Sequence, residues 1–139
     1  MYCKHKYFIF DLDGTLAYTI EDLRSAMNRM LRYFGWREVT AEDTLRNINN
    51  GARVFVTGCL PEEYRQSEEI IDRAYAKYSE YYAEEYLKTT KPYPAVPEGI
   101  AYLKERGARL AVFSNKQDIQ TKAICAKLFP EGTFELVLG

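Results

Sequence analysis

Tyr7-Phe8-Ile9-Phe10 is a continuous apolar run that breaks at once into Asp11-Leu12-Asp13-Gly14-Thr15. Four apolar residues in a row, with no polar alternation, have the pattern of a short strand buried on both faces. Gly14 permits the tight turn that must follow it. A strand that ends in two carboxylates separated by one apolar residue places acidic chemistry at its carboxyl end. In open α/β sheets that end is where ligands bind.

The rest of the chain supplies the partners such a strand needs. Arg109-Leu110-Ala111-Val112-Phe113 reads as a second strand, followed by a Ser114-Asn115-Lys116 loop. A helix from Asp118 comes next, with Ile119, Ala123, Ile124 and Leu128 expected inward, and Phe134 to Leu138 reads as a third strand. A helix over about 98–106, ending at Gly107, precedes the second strand. Strands alternating with helices in this order imply a parallel sheet with crossover helices, a Rossmann-like α/β core.

Between these parts lies a long helical stretch. Ile20, Leu23, Met27, Met30, Leu31 and Phe34 recur at helical spacing, and Gly35 is a natural stop. Thr19 with Asp22 suggests a capping box at the start of that helix. Thr40 is expected to cap a second short helix, Asn49-Asn50-Gly51 forms a loop, and a third helix runs from about Ala52 to Cys59. From Pro61 to Lys88 the chain reads as helical. Ile71, Tyr75, Tyr78, Tyr82 and Tyr86 make one packing stripe there, and Glu84-Glu85 a solvated face. Lys91 to Pro97 holds three prolines and marks a stiff linker. The expected organisation is therefore an α/β core from 1–16 and 93–139, with a helical cap, 17–92, inserted after the first strand.

The two aspartates have a chemical reading. A carboxylate can attack a phosphoryl group and form an acyl-phosphate, which splits one difficult displacement into two. Because anion then meets anion, a cation is needed between them, and hard oxygen ligands suit Mg²⁺. A second carboxyl group offset from the line of attack can protonate the leaving alkoxide and later activate water. Asp11 and Asp13 thus become nucleophile and acid/base, and both candidates for the metal, while Gly14 lets the loop approach a phosphate. The plainer alternative is a polar turn whose aspartates cap backbone groups. Ser114 and Asn115 would lie beside Asp11 if the two strands are neighbours, where a hydroxyl and backbone N–H groups suit phosphate. Lys116 could reach a phosphate or a substrate carboxylate, or could simply be a surface lysine.

Composition narrows the partners. A net charge of −1 and a pI near 5.9 leave no basic excess for nucleic acid or an anionic membrane. No stretch approaches the length of a membrane span. Cys3, Cys59 and Cys125 are scattered and odd in number, which fits reduced thiols in the cytoplasm. His5, the single histidine, lies beside the chain start and is read as a bystander.

Phe8 to Leu16, with Leu110 to Lys116, resembles the haloacid dehalogenase superfamily. Within it, Pro92 to Val96 and Phe134 to Gly139 are similar to the phosphoglycolate phosphatase group, whose helical cap follows the first strand. The resemblance implies a Mg²⁺-dependent phosphomonoesterase acting on a small phosphorylated metabolite such as 2-phosphoglycolate. It implies Asp11 as nucleophile and metal ligand, Asp13 as acid/base with its carbonyl on the metal, and Ser114 on the phosphate. Thr15 favours a phosphatase over the mutase relatives, and Asp13 argues against the dehalogenases. A non-catalytic phosphate- or metal-binding module, and a phosphotransferase or mutase, are the alternatives; a signalling receiver domain is a remote one.

Three departures accompany the resemblance. Tyr18 stands where the family usually has an aspartate, and Asn49 where the cap loop usually has glycine. The family pattern also continues with a phosphate-binding lysine and an acidic metal-binding motif on later segments, which this sequence does not reach. The sheet is therefore expected to be incomplete, with three strands, and the 139-residue chain to turn over little. Tyr7–Phe10 would then be an exposed apolar edge, open to self-association.

Overall fold

The computed structural model describes residues 5–139, and Cys3 lies outside them. The chain divides into two compact units, one comprising residues 1–18 and 91–139 and the other Thr19–Thr90.

The first unit is built on a three-stranded parallel sheet. Strands β1 (Tyr7–Phe10), β4 (Arg109–Phe113) and β5 (Leu136–Leu138) lie in the order β1-β4-β5. Tyr7 is opposite Arg109 and Phe10 opposite Val112, while Ala111 faces Leu136 and Phe113 faces Leu138. Helix α5 (Val96–Glu105) precedes β4, and α6 (Asp118–Leu128) carries the chain from β4 to β5, against which it packs. The expected α/β fold is present, with the helices inserted after the first strand.

One face of this sheet is covered and the other is not. Leu110 and Val112 are each 1% exposed, whereas Tyr7, Ile9, Phe113, Leu136 and Leu138 are open to solvent. The reading of β1 as buried on both faces is therefore corrected, while the expected exposed apolar edge is present. Its apolar run lies at the sheet edge with alternate residues exposed, because nothing among the described residues packs on that side. Ile119 is likewise exposed rather than inward, since α6 turns Thr121, Ile124 and Cys125 to the interior. The last strand begins at Leu136, two residues later than expected.

A second, two-stranded antiparallel ribbon was not anticipated. Strand β2 (Ala17–Tyr18) pairs with β3 (Lys91–Pro92), placing Ala17 opposite Pro92 and Tyr18 opposite Lys91. The Tyr93 N–H donates to the Leu16 carbonyl at 3.2 Å, and the Tyr18 and Tyr93 rings meet edge to face. Proline is tolerated in β3 because a two-stranded ribbon consists only of edges. The linker is thus half strand.

The second unit is helical: α1 (Ile20–Tyr33), α2 (Ala41–Asn47), α3 (Ala52–Cys59), a 3-10 turn at Glu62–Tyr64 and α4 (Glu68–Glu85). The segment 61–88 is therefore not one helix. Pro61 and the Arg65-to-Ser67 break divide it, and the Ser67 hydroxyl caps α4. Helices α1 and α4 pack on each other. Met27, Met30 and Leu31 are fully buried, each contributing about 1.5–3 kcal/mol. The tyrosine stripe packs as expected, with Tyr78 and Tyr82 stacked at 5.6 Å and Phe55 edge-on to Tyr78.

Two expectations about polar residues fail here. Thr19 precedes α1 but makes no side-chain cap, and the Asp22 carboxylate accepts from Thr89 and Thr90. The capping box forms instead at Thr40 and Asp43, where each residue satisfies the other's backbone N–H. Glu85 is not solvated. It is 6% exposed and accepts from Ser25, Arg29 and Lys88. Burial alone would raise its pKa, but the hydrogen bonds from Lys88, Arg29 and Ser25 outweigh burial and hold it below the ordinary carboxylate range.

Candidate active site

The carboxyl ends of β1 and β4 carry the candidate residues. The loop after β1 is organised around the Leu12 carbonyl, which accepts from the N–H groups of Thr15, Leu16 and Ala17 at 3.0–3.2 Å. Leu12 is fully buried, so this one side chain anchors the loop between the two aspartates. Gly14 has φ +76°, the left-handed region that other residues enter at a cost. Its N–H donates to the Ala17 carbonyl at 3.0 Å. What Gly14 brings is the turn rather than a free donor.

Asp11 follows β1 directly and its Oδ1 accepts from the Leu12 N–H at 2.8 Å. The residue is exposed, yet its carboxyl pKa is raised. Partial desolvation is the largest cause, offset by the Leu12 N–H; the Asp13 charge adds to the rise and Lys116 opposes it. Because Phe10 is opposite Val112, Asp11 and Ser114 emerge from neighbouring strands within a residue of the same level.

Ser114 is 6% exposed. Its N–H donates to the Leu138 carbonyl at 3.0 Å and its Oγ accepts from the Lys116 N–H at 3.2 Å. The hydroxyl proton is a further donor that this turn does not consume. Asn115 is exposed beside it. Lys116 is not a surface lysine. Its side chain is 6% exposed and its Nζ lies 3.3 Å from Asp13 Oδ1, whose side chain is 13% exposed.

Gly139, read from the sequence only as part of the family resemblance, also packs beside the candidate site. Its N–H donates to Asp118 Oδ1 at 3.2 Å, and a Cβ there would collide with the Lys116 carbonyl and the Thr121 hydroxyl. The end of β5 therefore packs directly against the loop that carries Ser114 and Lys116. A glycine after an apolar strand was the available signal.

Among the described residues no group of three or more His, Cys, Asp or Glu side chains could hold a metal ion. Asp11 and Asp13 are the two carboxylates at this strand end. That donor set suits Mg²⁺, which is commonly held by one or two carboxylates together with water and substrate phosphate.

The sequence matches the haloacid dehalogenase-like hydrolase family over residues 8–139, and the chain belongs to that family. It is 33% identical over 131 residues to a phosphoglycolate phosphatase from Aquifex aeolicus, covering 94% of this chain and 59% of that relative. It is 32% identical to the phosphoglycolate phosphatase of Neisseria meningitidis, covering 94% and 56%. A crystal structure from Lactobacillus delbrueckii subsp. bulgaricus superposes with a TM-score of 0.90 at 29% identity, covering 99% of this chain and 65% of that one. The chain spans less than two thirds of the length of each of these proteins.

Proposed function

We propose that this chain carries the nucleophile-bearing part of a Mg²⁺-dependent phosphomonoester hydrolase centre. The observation that carries the reading is the pair Asp11 and Asp13 at the end of β1, beside Ser114 at the end of the neighbouring β4, with Lys116 against Asp13. An Asp11 carboxylate oxygen attacks phosphorus, and the bond to the alcohol oxygen breaks. Asp13 supplies the proton that the leaving alkoxide takes. Water then attacks the aspartyl phosphate while Asp13 accepts its proton, returning Asp11 and releasing inorganic phosphate. The Ser114 hydroxyl and the Asn115 region donate to the phosphate oxygens, and Lys116 offsets the negative charge gathered in the loop. Asp11 and the Asp13 carbonyl would hold the magnesium ion, which, when bound, eases the approach of two anions.

The substrate is a small phosphorylated metabolite, and the curated relatives favour 2-phosphoglycolate. Asn49 has φ +80°, a left-handed conformation that glycine enters freely, so an asparagine where the resemblance implies glycine adds a side chain at a position whose backbone glycine could also adopt. Cys59 and Cys125 are free and buried, and we place the protein in the cytoplasm. Among the described residues no helix is long and apolar enough to cross a membrane. The exposed apolar edge at β1 is a surface for self-association.

Hydrolysis of a chromogenic aryl phosphate with Mg²⁺, compared with Asp11→Asn, tests the chemistry. The expected result is weak Mg²⁺-dependent turnover, lost in the variant, and stronger turnover in a chain extended to the length of the relatives. Turnover in both chains that survives Asp11→Asn would remove Asp11 from the nucleophile role. Phosphate binding without turnover in either chain would make the protein a binding module.

A further inference from the structure

Asp22 is the most heavily bonded carboxylate of the helical unit, and the proposed chemistry gives it no role. It is 1% exposed, on the first turn of α1. Oδ1 accepts from the Thr89 N–H at 2.9 Å and the Thr89 hydroxyl at 2.7 Å. Oδ2 accepts from the Thr90 N–H at 2.9 Å, the Thr90 hydroxyl at 2.8 Å and, in shared fashion, the Thr89 N–H at 3.0 Å. Four donors converge on one acceptor-only group, so both of its oxygens are satisfied by two residues far away in sequence.

The place where this occurs gives it meaning. The chain enters the helical unit between Tyr18 and Thr19 and leaves it between Thr90 and Lys91. Tyr18 and Lys91 are opposite each other in the last rung of the β2–β3 ribbon. On the other side of both crossings stands the Asp22 cluster. Each pair of crossing strands is thus tied twice, once by backbone pairing and once by a buried side chain. Thr19 and Thr90, the residues just inside, are 1% and 4% exposed.

We propose that Asp22 is a positioning residue that latches the return strand to the start of α1. Within the helical unit, the entering segment at Thr19 and the leaving segment at Thr89–Thr90 are then held side by side by the Asp22 carboxylate. Carboxylate chemistry is required because both oxygens must accept. In Asp22→Asn an amide NH₂ would face an N–H and a hydroxyl donor. Local opening of a structure begins where few contacts hold the backbone, and a latch here would keep the two ends of the helical unit from fraying apart.

Amide hydrogen exchange on the full chain, read residue by residue, tests this without reference to catalysis. In Asp22→Asn the Thr89 and Thr90 amides are expected to exchange at least tenfold faster. The Tyr93 amide of the ribbon and the Tyr78 and Tyr82 amides inside α4 are expected to hold their rates. If Asp22→Asn does not fold, the Thr89→Val, Thr90→Val double variant, which removes only the hydroxyl donors, is expected to show the same local pattern more weakly. Unchanged exchange at Thr89 and Thr90, or a uniform rise throughout Thr19–Thr90, would overturn the latch. The second result would make Asp22 a general stabiliser of its unit.

Discussion

The Lys116 ammonium sits 3.3 Å from the Asp13 carboxylate, with both side chains largely withdrawn from water. A charge pair in that position is set by backbone on two sides. The Leu12 carbonyl hub fixes Asp13, and Ser114 with Gly139 fixes the loop of Lys116.

Removing the cation should therefore be felt in stability as well as in chemistry. Lys116→Met is expected to cost about 1–3 kcal/mol, because the Asp13 carboxylate keeps its desolvation and loses a charged partner. Urea denaturation should show a lower midpoint with an unchanged slope. In a double-mutant cycle with Asp13→Asn the two losses should not add, and strict additivity would show that the two groups do not interact.

Acid should loosen the helical unit through Glu85. Its folded pKa lies below that of a free glutamate, about 4.3. The stabilisation is complete above the unfolded value and is lost as pH falls through the folded one, since protons then bind the unfolded state more readily. Glu85→Gln should be less stable than the parent at pH 7 by about 1–3 kcal/mol. That gap should close as the pH is taken below the folded value. Thermal unfolding at a series of pH values measures it, and a gap independent of pH would be contrary.

Much of this was readable in the residues, and the limit is instructive. The turn after β1 and the bounds of α3 and β4 follow from local pattern, because each depends on neighbours within a few positions. Asp22 and Glu85 were misread for the opposite reason. A carboxylate near a helix start looks like a cap, and two adjacent glutamates look solvated, unless the partners 56 to 68 residues away are known. Ile119 was assigned inward, and β1 was read as a strand buried on both faces before its exposed edge was expected, because apolar character says what could be buried, not which face receives a neighbour. In the candidate site, Asp11, Asp13 and Ser114 stood out by type and spacing. The burial of Lys116 against Asp13 and the close approach of Gly139 are products of packing between strands.

Helix α2 offers a simple check on capping. Thr40→Ala removes the side-chain acceptor for the Asp43 N–H and is expected to cost about 1 kcal/mol. A change below a few tenths in the denaturation midpoint energy would mean that Asp43 alone sustains the helix start.

The open edge of the sheet predicts concentration-dependent association. Light scattering of the 139-residue chain should show mass rising with concentration. Ile9→Lys should suppress the rise at little cost in stability, because Ile9 is 75% exposed and a charge on an edge strand opposes pairing. A monodisperse monomer at high concentration would be the opposing result.

The two ties across the ends of the helical unit also bear on how the chain finds its fold. Tyr7 and Arg109 are paired across 102 residues, a distant contact for so small a protein. Closing a loop costs entropy that grows with the logarithm of its length. Once Asp22 and the ribbon hold the ends of the insertion together, most of that span drops out of the search, a saving of roughly 1 kcal/mol. A chain that consolidates its helices first brings the two strands to each other already half assembled.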